Sequence, residues 1–363
     1  MLTYGGGMEI FMTNAELITK LEAQGILSKE GFVQLLSSYS AKDMDFAQEL
    51  ARKTALKYFG NKIYIRGLIE FTNICKQNCL YCGLRAENSN ISRYRLAKED
   101  IMECCQEGYD LGFRTFVLQG GEDPHFSDEL VCDIVKSIKA KFPDCAVTLS
   151  IGEKSRDTYQ KFFDAGADRY LLRHETANAE HYSRLHPENL SLASRKECLF
   201  NLKDIGFQTG CGFMVGSPYQ TTDALAEDLL FIHELQPQMV GIGPFVPHKD
   251  TPFGKEQRGS LELTLFLLAL VRIMQKNVLL PSTTALGTIH PQGREMGILS
   301  GANVVMPNLS PISVRKKYML YDGKISTDEE AAEGIEALKE KMKKIGYEIT
   351  VSRGDFEDII KRG

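Results

Sequence analysis

Short apolar runs rich in β-forming residues alternate with amphipathic stretches along most of this 363-residue chain. The alternation begins after Gly60, and the runs that we predict as strands are 63–71, 115–119, 146–151, 169–173, 208–215, 239–243, 281–285 and 303–306. Strands separated by helices pair in parallel, and eight parallel strands are the number that closes a barrel. We therefore predict an α/β protein built on a (β/α)8 barrel of the TIM type. An open, doubly wound sheet is the alternative.

Glycines at the ends of predicted helices support this arrangement. Gly112, Gly166, Gly206 and Gly301 each follow a predicted helix and precede a predicted strand. A helix C-cap often needs the left-handed backbone that glycine adopts without strain. Their spacing corresponds to roughly 30 residues per unit, which is the size of one βαβ step.

Helical patterns flank the predicted barrel on both sides. Residues 13–59 read as three helices, with Thr13 or Asn14 capping the first and Gly25 ending it, and a further amphipathic helix is predicted at 328–344. We expect three regions: an N-terminal helical extension (1–60), the barrel (61–325) and a C-terminal helical segment packed on it (326–363).

Composition and charge exclude several classes of function. The formal net charge is −5, which gives no general indication of nucleic-acid binding. The longest apolar run, 263–273, contains Thr264 and Arg272 and is shorter than the ~20 residues that span a bilayer. No basic segment followed by an apolar core is visible at the start, so we expect a cytoplasmic protein that binds neither nucleic acid nor membranes.

Three of the nine cysteines lie within eight residues: Cys75, Cys79 and Cys82 form a Cys-x3-Cys-x2-Cys motif, with Tyr81 before the last cysteine. The motif follows the first predicted strand, so it should lie on the catalytic face of a barrel. Three thiolates leave one iron of a [4Fe–4S] cubane open, and the amine and carboxylate of S-adenosylmethionine (SAM) can chelate that iron. A structural zinc site is the alternative, but it needs a fourth ligand. The nearest downstream candidates are Cys104, Cys105 and His125.

Around this motif the sequence resembles the radical SAM enzymes of the biotin synthase-like group, and most closely the maturases of [FeFe]-hydrogenase. The resemblance runs from about residue 66 to 321 and rests on four strings that end predicted strands: 118–124, 169–176, 239–245 and 283–288. It implies one [4Fe–4S] cluster on Cys75, Cys79 and Cys82, which reductively cleaves SAM to a 5′-deoxyadenosyl radical. The residues it implies for SAM binding are Tyr81, Gly121, Glu122, Arg173, Glu175, Arg195 and Met239. The ones it implies for the substrate cavity are Arg66, Gln119, Thr148, Arg169, Thr283, Thr284, Met306, Tyr318 and Tyr321.

Two of these cavity residues, Arg66 and Arg169, are arginines on predicted strands. A buried arginine is costly unless it is paired, so a barrel that encloses them should hold an anionic ligand. Alternatively, either arginine by itself could form an internal ion pair with an Asp or a Glu. For Arg195, the alternative to SAM binding is a surface ion pair.

The resemblance also implies a substrate and partners. The substrate would be a small, anionic iron complex carrying cysteine, carbonyl and cyanide, made by the radical SAM protein HydG and passed on to the scaffold GTPase HydF. An electron donor is required, and we expect a monomer. No cysteine follows Cys211, which predicts no second cluster and weighs against biotin synthase, which sacrifices sulfur from a cluster inside the barrel.

Two other functions remain open from the sequence. Methylornithine synthase, a lysine mutase of the same group, would need an acidic or hydroxyl anchor for an ammonium group in its cavity. A non-catalytic iron–sulfur carrier would need the cysteines but neither Arg173 nor Glu175.

Overall fold

The computed structural model of the chain describes residues 12–325 and 334–356. The helices are α1 (Asn14–Gln24), α2 (Lys29–Ser38), α3 (Ala41–Phe59), α4 (Lys98–Asp110), α5 (Asp128–Lys141), α6 (Arg156–Asp164), α7 (Ala179–Leu185), α8 (Leu192–Ile205), α9 (Thr222–Leu235), α10 (Leu261–Met274), α11 (Thr284–Ile289), α12 (Gly293–Leu299), α13 (Ile312–Arg315) and α14 (Ile335–Lys344). The strands are β1 (Lys62–Ile65), β2 (Gly67–Thr72), β3 (Thr115–Gly120), β4 (Ala146–Ser150), β5 (Arg169–Leu171), β6 (Gln208–Cys211), β7 (Met214–Val215), β8 (Met239–Val240), β9 (Gly243–Pro244), β10 (Val304–Val305) and β11 (Glu348–Thr350).

Parallel pairing closes these strands into a barrel. β2, β3, β4, β5, β6 and β8 are neighbours in that order. Single parallel bridges continue the ring, from Met239 to Leu279 and from Pro281 to Val304. β10 then pairs with β1, which leads directly into β2. The ring has eight positions in the described part of the chain, so the predicted TIM-type barrel is confirmed and the open sheet is not observed.

The predicted strands differ in detail from the observed ones. The run 63–71 is two strands that meet at Arg66, and the runs 208–215 and 239–243 are each divided into two short strands. The predicted strand 281–285 is wrong, because only Leu279 and Pro281 form bridges and Thr284 already begins α11. Proline cannot donate to a strand ladder, which limits regular pairing at this position.

Helix boundaries follow the predicted capping signals closely. Thr13 caps α1 with its side chain and Gly25 ends it in the left-handed region. Gly112, Gly166, Gly206 and Gly301 all have φ between 93° and 110°, which confirms why glycine recurs before the strands. The predicted helix 328–344 is observed as α14, and its first part lies outside the described residues.

The apolar run in α10 is explained by burial within the protein. Every residue from Thr264 to Met274 is buried, and α10 packs against α1 and α3. Arg272 is fully buried in this helix and donates hydrogen bonds to the carbonyl oxygens of Gly301 (2.8 Å) and Val278 (2.8 Å). Among the described residues, no helix has the length and apolar character to cross a membrane.

Residues 351–356, which we call the floor segment, close the end of the barrel at which the strands begin. They follow β11, a strand that the sequence did not predict and that pairs in parallel with β1. Asp355 accepts hydrogen bonds from Arg169 (2.6 Å) and Gln208 (2.9 Å), residues that begin β5 and β6. Arg353 forms ion pairs with Asp168 (2.8 Å) and Asp355 (2.6 Å). The amino ends of the strands are therefore covered by a charged network.

We expect Asp355→Asn to destabilise the fold in a pH-dependent way. Burial alone would raise the pKa of Asp355, but hydrogen bonds from Arg353 and the charge of Arg169 hold it at about 2. A lowered carboxyl pKa stabilises the protein above the unfolded-state pKa, here about 2 kcal/mol at neutral pH. Urea unfolding should show this difference between pH 5 and 8, and the difference should shrink as the pH falls from about 4 to about 2. Asp204→Asn, at a side chain that is 66% exposed, is the control and should change little. A difference that does not depend on pH would contradict the ion-pair explanation.

Candidate active site

The three motif cysteines lie in one loop at the carboxyl end of the barrel. This loop, residues 73–94, joins β2 to α4 and is called the cluster loop below. The sulfur of Cys75 accepts hydrogen bonds from the backbone N–H groups of Gln77 (3.5 Å) and Glu122 (3.4 Å). A Cβ at Gly121 would lie 2.6 Å from the Cβ of Cys75, so only glycine lets the β3–α5 loop approach this closely.

The thiols of the cluster loop are close enough to influence one another. Burial raises the pKa of Cys82 to about 12, and the neighbouring Cys75 contributes to this rise. Burial also raises the pKa of Cys79, with further contributions from Cys82 and Cys75. No disulfide joins them. Three neighbouring, half-buried thiols fit an iron–sulfur cluster, because bound iron stabilises the thiolate form that partial burial disfavours.

No completed metal site is preformed, however. Within residues 12–325 and 334–356, no group of three His, Cys, Asp or Glu side chains has closed into a metal-binding arrangement. The fit to a cluster therefore rests on the cluster loop and on the contacts of Cys75. The remaining cysteines lie elsewhere in the fold, and all are buried except Cys132, which is half-buried.

Tyr81 is held by two residues that the sequence did not single out. Its hydroxyl lies 3.3 Å from Nε2 of His186, and Tyr182 stacks on the His186 ring at 3.9 Å. Burial lowers the pKa of His186 to about 3, so this histidine is neutral and can accept the tyrosine proton in a hydrogen bond. His186 follows α7, far from the cysteines in sequence, which is why no local motif indicates it.

Arg173 and Glu175 lie together after β5. Their side chains are 3.2 Å apart, yet Nε and NH2 of Arg173 and Oε2 of Glu175 have no hydrogen-bond partner in the described part of the chain. Glu175 has a φ of 64°, an uncommon conformation for a residue with a side chain. The contact between NH2 and Oε2 is an ion pair without hydrogen-bond geometry, so this half-buried cation and buried anion can still bind a molecule that carries both charges.

The buried pair of His174 and Asp228 supports this turn. His174 Nδ1 accepts the N–H of Gly212 (3.3 Å), and its Nε2 lies 3.3 Å from Asp228. Asp228 in turn accepts the N–H of Ala177. His174 and Ala177, which flank Glu175, therefore both contact Asp228 of α9. These contacts stabilise the left-handed backbone of Glu175.

Arg195 is buried and already has partners. It pairs with Glu153 (2.5 Å) and donates to the carbonyl oxygen of Arg173 (2.6 Å). Its ion pair is thus internal, not the surface pair considered from the sequence. Glu122 accepts from Gln77 (2.9 Å) and from the N–H of Glu153 (3.2 Å), so it links the cluster loop to the same network.

The two cavity arginines have different surroundings. Arg169 is 0% exposed, and Asp355, Thr115, Gln208 and the Arg353 carbonyl oxygen all accept its hydrogen bonds. For Arg169, the structure therefore shows the internal ion pair that the sequence left open as the alternative to an anionic ligand.

Arg66 has no such pair. It is 5% exposed, NH1 contacts the sulfur of Met239 (2.8 Å), and Nε and NH2 have no partner among the described residues. Burial, followed by the charge of Arg169, lowers the pKa of Arg66, which means that its cation is poorly stabilised by the protein. Met239, predicted to lie near the adenine of SAM, is thus a neighbour of Arg66. The hydroxyls of Thr148 and Thr283 are also without partners there.

Residues 316–325, the mouth strap, carry the predicted tyrosines across the barrel opening. The Leu320 carbonyl oxygen accepts the N–H of Gly83 (2.9 Å), and Gln119 donates to the Tyr318 hydroxyl (3.3 Å). Tyr318 is buried, whereas Thr284, Met306 and Tyr321 are half-buried.

A buried ion pair ties this mouth strap to the barrel. Lys324 pairs with Glu70 of β2, whose other oxygen accepts from Asn308 (2.9 Å). Neither Glu70 nor Lys324 was predicted, since their partners are distant in sequence.

Comparisons with known proteins agree with this geometry. The family model described as the radical SAM superfamily matches residues 69–232, which include the cluster loop and the Arg173–Glu175 turn. The crystal structure of methylornithine synthase (PylB) superposes with a TM-score of 0.82 at 25% identity, covering 94% of this chain and 99% of that one. The curated 3-methylornithine synthase of Methanosarcina acetivorans is 27% identical over 92% of this chain and 93% of its own length.

A second curated relative is much more similar. The [FeFe] hydrogenase maturase subunit HydE of Thermotoga maritima is 45% identical, over 92% of this chain and 95% of its own length. Identity at this level across nearly the whole of both chains establishes the family. The chain belongs to the HydE family of [FeFe]-hydrogenase maturases and is a radical SAM enzyme.

Proposed function

We propose that this protein acts in the assembly of the two-iron subcluster of [FeFe]-hydrogenase. The observation that carries the proposal is the 45% identity to a curated HydE maturase over 92% of this chain and 95% of that relative. By the same resemblance, the substrate is a small iron complex with cysteine, carbonyl and cyanide. HydG would supply it and HydF would receive the product.

Membership of the radical SAM superfamily implies a [4Fe–4S] cluster and SAM. We assign a single cluster to Cys75, Cys79 and Cys82, because no cysteine follows Cys211. When bound, the cluster supplies the electron that cleaves SAM to a 5′-deoxyadenosyl radical. Arg173 and Glu175, whose ion pair leaves Nε of Arg173 without a partner, would bind the charged methionine end of SAM. Arg195 would act through Arg173 and Glu153, and Gly121 keeps its loop against Cys75.

We propose that Arg66 anchors the anionic substrate. Its unpaired guanidinium is the one cationic group in the described barrel interior that lacks a protein counter-charge, since Arg169 pairs with Asp355. The partnerless hydroxyls of Thr148 and Thr283 offer further hydrogen bonds to the same ligand. Gln119 and Tyr318 would cover this ligand from the mouth side. The mouth strap and the floor segment would exclude water from the two ends of the barrel.

Methylornithine synthase is the alternative, favoured by the PylB superposition. Its amino-acid substrate brings an ammonium group that needs an acidic or hydroxyl anchor in the cavity. Glu70 is the buried acid of β2, but Lys324 and Asn308 already occupy both of its oxygens. The mouth strap thus occupies the acidic anchor, and the hydroxyls of Thr148 and Thr283 are what this alternative would have to use.

We expect reconstituted protein to form 5′-deoxyadenosine from SAM under anaerobic, reducing conditions, and Cys79→Ala to lose this activity. The reason is that two thiolates cannot hold the site-differentiated cluster on which cleavage depends. Chromatographic quantification of 5′-deoxyadenosine against iron content checks this. Product formation by Cys79→Ala equal to that of the wild type would refute the assignment. If neither protein cleaves SAM although the wild type holds four irons, the assay is repeated with HydG-derived precursor, and a further failure would favour a carrier role.

We expect Arg66→Gln to lose maturation activity and Arg169→Gln to lose stability. Loss of the Arg66 charge should lower hydrogenase maturation by roughly 10- to 100-fold, the range for a charged hydrogen bond in a buried site, with little loss of thermal stability. Arg169→Gln should mainly destabilise the fold, because Asp355 loses its partner. Coupled maturation with HydG and HydF, alongside thermal unfolding, separates the two. Unchanged maturation in a folded Arg66→Gln variant would exclude Arg66 as the anchor, and methylornithine formed from lysine would favour the alternative.

A further inference from the structure

The guanidinium of Arg93 holds the cluster loop together through its backbone. NH1 donates to the carbonyl oxygens of Asn73 (2.6 Å) and Leu84 (2.9 Å), and NH2 to those of Arg85 (2.6 Å) and Asn88 (3.0 Å). Asn73 precedes the first motif cysteine, whereas the other three acceptors follow the last one. One side chain therefore fixes both ends of the segment that carries the three thiols.

Asn73 and Asn88 complete this clamp. The side chain of Asn73 donates to the Ser92 carbonyl oxygen (2.8 Å) and accepts the N–H of Tyr94 (2.8 Å), while that of Asn88 donates to the Gly83 carbonyl oxygen (2.7 Å). The cluster loop is thus closed by contacts within itself. Its shape does not depend on regular secondary structure.

Arg93 differs from the neighbouring arginines in its counter-charge. Arg85 pairs with Glu87 (2.8 Å) and Arg95 with Asp123 (2.7 Å). Among the described residues, no Asp or Glu forms an ion pair with Arg93. Its guanidinium instead bonds the carbonyl oxygens of Asn73 and Leu84, which lie two residues before Cys75 and two residues after Cys82. When the three thiolates hold a cluster, that cluster supplies the counter-charge that Arg93 lacks among the described residues.

We propose that Arg93 is the positioning residue of the iron–sulfur cluster and the local counter-charge that sets its reduction potential. The proposal rests on the assignment of the cluster to Cys75, Cys79 and Cys82, and it does not depend on which substrate the enzyme uses. The negative charge of three thiolates is larger than the positive charge of an oxidised cubane core, so the cluster is anionic. Reduction adds a further negative charge. A fixed cation beside two of the thiolates stabilises the reduced form more than the oxidised form, which raises the potential.

Three variants of the full-length protein separate position from charge. Arg93→Gln removes the cation and most of the hydrogen bonds. Arg93→Lys keeps the cation, but an ammonium cannot bond four carbonyl oxygens in the fork geometry of a guanidinium. Arg85→Gln makes the same charge change in the same loop at a residue that pairs with Glu87, and it serves as the matched control.

The measurements are iron and sulfide content after anaerobic reconstitution, and the midpoint potential from a redox titration followed by electron paramagnetic resonance. We expect Arg93→Gln to bind less iron and to have a more negative potential. Arg93→Lys should also bind less iron but keep a potential close to that of the wild type, and Arg85→Gln should match the wild type in both measurements.

The proposal would be overturned if Arg93→Gln had the iron content and the midpoint potential of the wild type. It would also be overturned if Arg85→Gln shifted the midpoint potential as much as Arg93→Gln does. If Arg93→Gln binds no cluster, Arg93→Lys decides: reduced iron content with an unchanged potential supports the proposal, whereas full iron content or a shifted potential overturns it. The assignment of the cluster to the three cysteines is tested separately by Cys79→Ala, so the two failures can be told apart.

Discussion

Burying a charged side chain costs several kcal/mol unless a partner of opposite charge is buried with it. Three charged side chains on the barrel strands, Glu70, Arg66 and Arg169, face this constraint. Glu70 is paired with Lys324 and Arg169 with Asp355, so both partners come from the chain that follows the last barrel strand. Arg66 is left without a counter-charge among the described residues. The C-terminal part of the chain thus determines which charge inside the barrel is available to a ligand.

The same two ion pairs also shape the barrel. Lys324 fixes the mouth strap that carries Tyr318, and Asp355 fixes the floor segment below Arg169. Between them lies an interior in which the donors of Arg66 and the hydroxyls of Thr148 and Thr283 are unsatisfied. Buried polar groups without partners are uncommon in native proteins, and their concentration in one place is typical of a binding site. At the carboxyl end, the ion pair of Arg173 and Glu175 lies beside the cluster loop, and Nε of Arg173 has no partner in the described part of the chain.

What could be predicted from the sequence depended on how far apart the interacting residues are. The cysteine motif, the cap at Thr13 and the glycines before the strands are local signals, and the structure contains each of them where expected. β11 and the floor segment were missed, because a three-residue strand has little periodicity and its partners are long-range. Asp355 lies 186 residues from Arg169, and Lys324 lies 254 residues from Glu70. A pattern of residue types therefore indicated that Arg66 and Arg169 were unusual, but it could not distinguish the paired arginine from the unpaired one.

The separation of Asp355 from Arg169 along the chain has a consequence for biosynthesis. Arg169 leaves the ribosome 186 residues before the carboxylate that pairs with it. At a synthesis rate of about 5–20 residues per second, the arginine waits roughly 10 to 40 seconds for its partner. During that time β3, β4 and β5 can be paired only around an uncompensated cation, which disfavours closure of the nascent barrel. The floor segment therefore couples completion of this barrel to the synthesis of Asp355, long after Arg169 has been made.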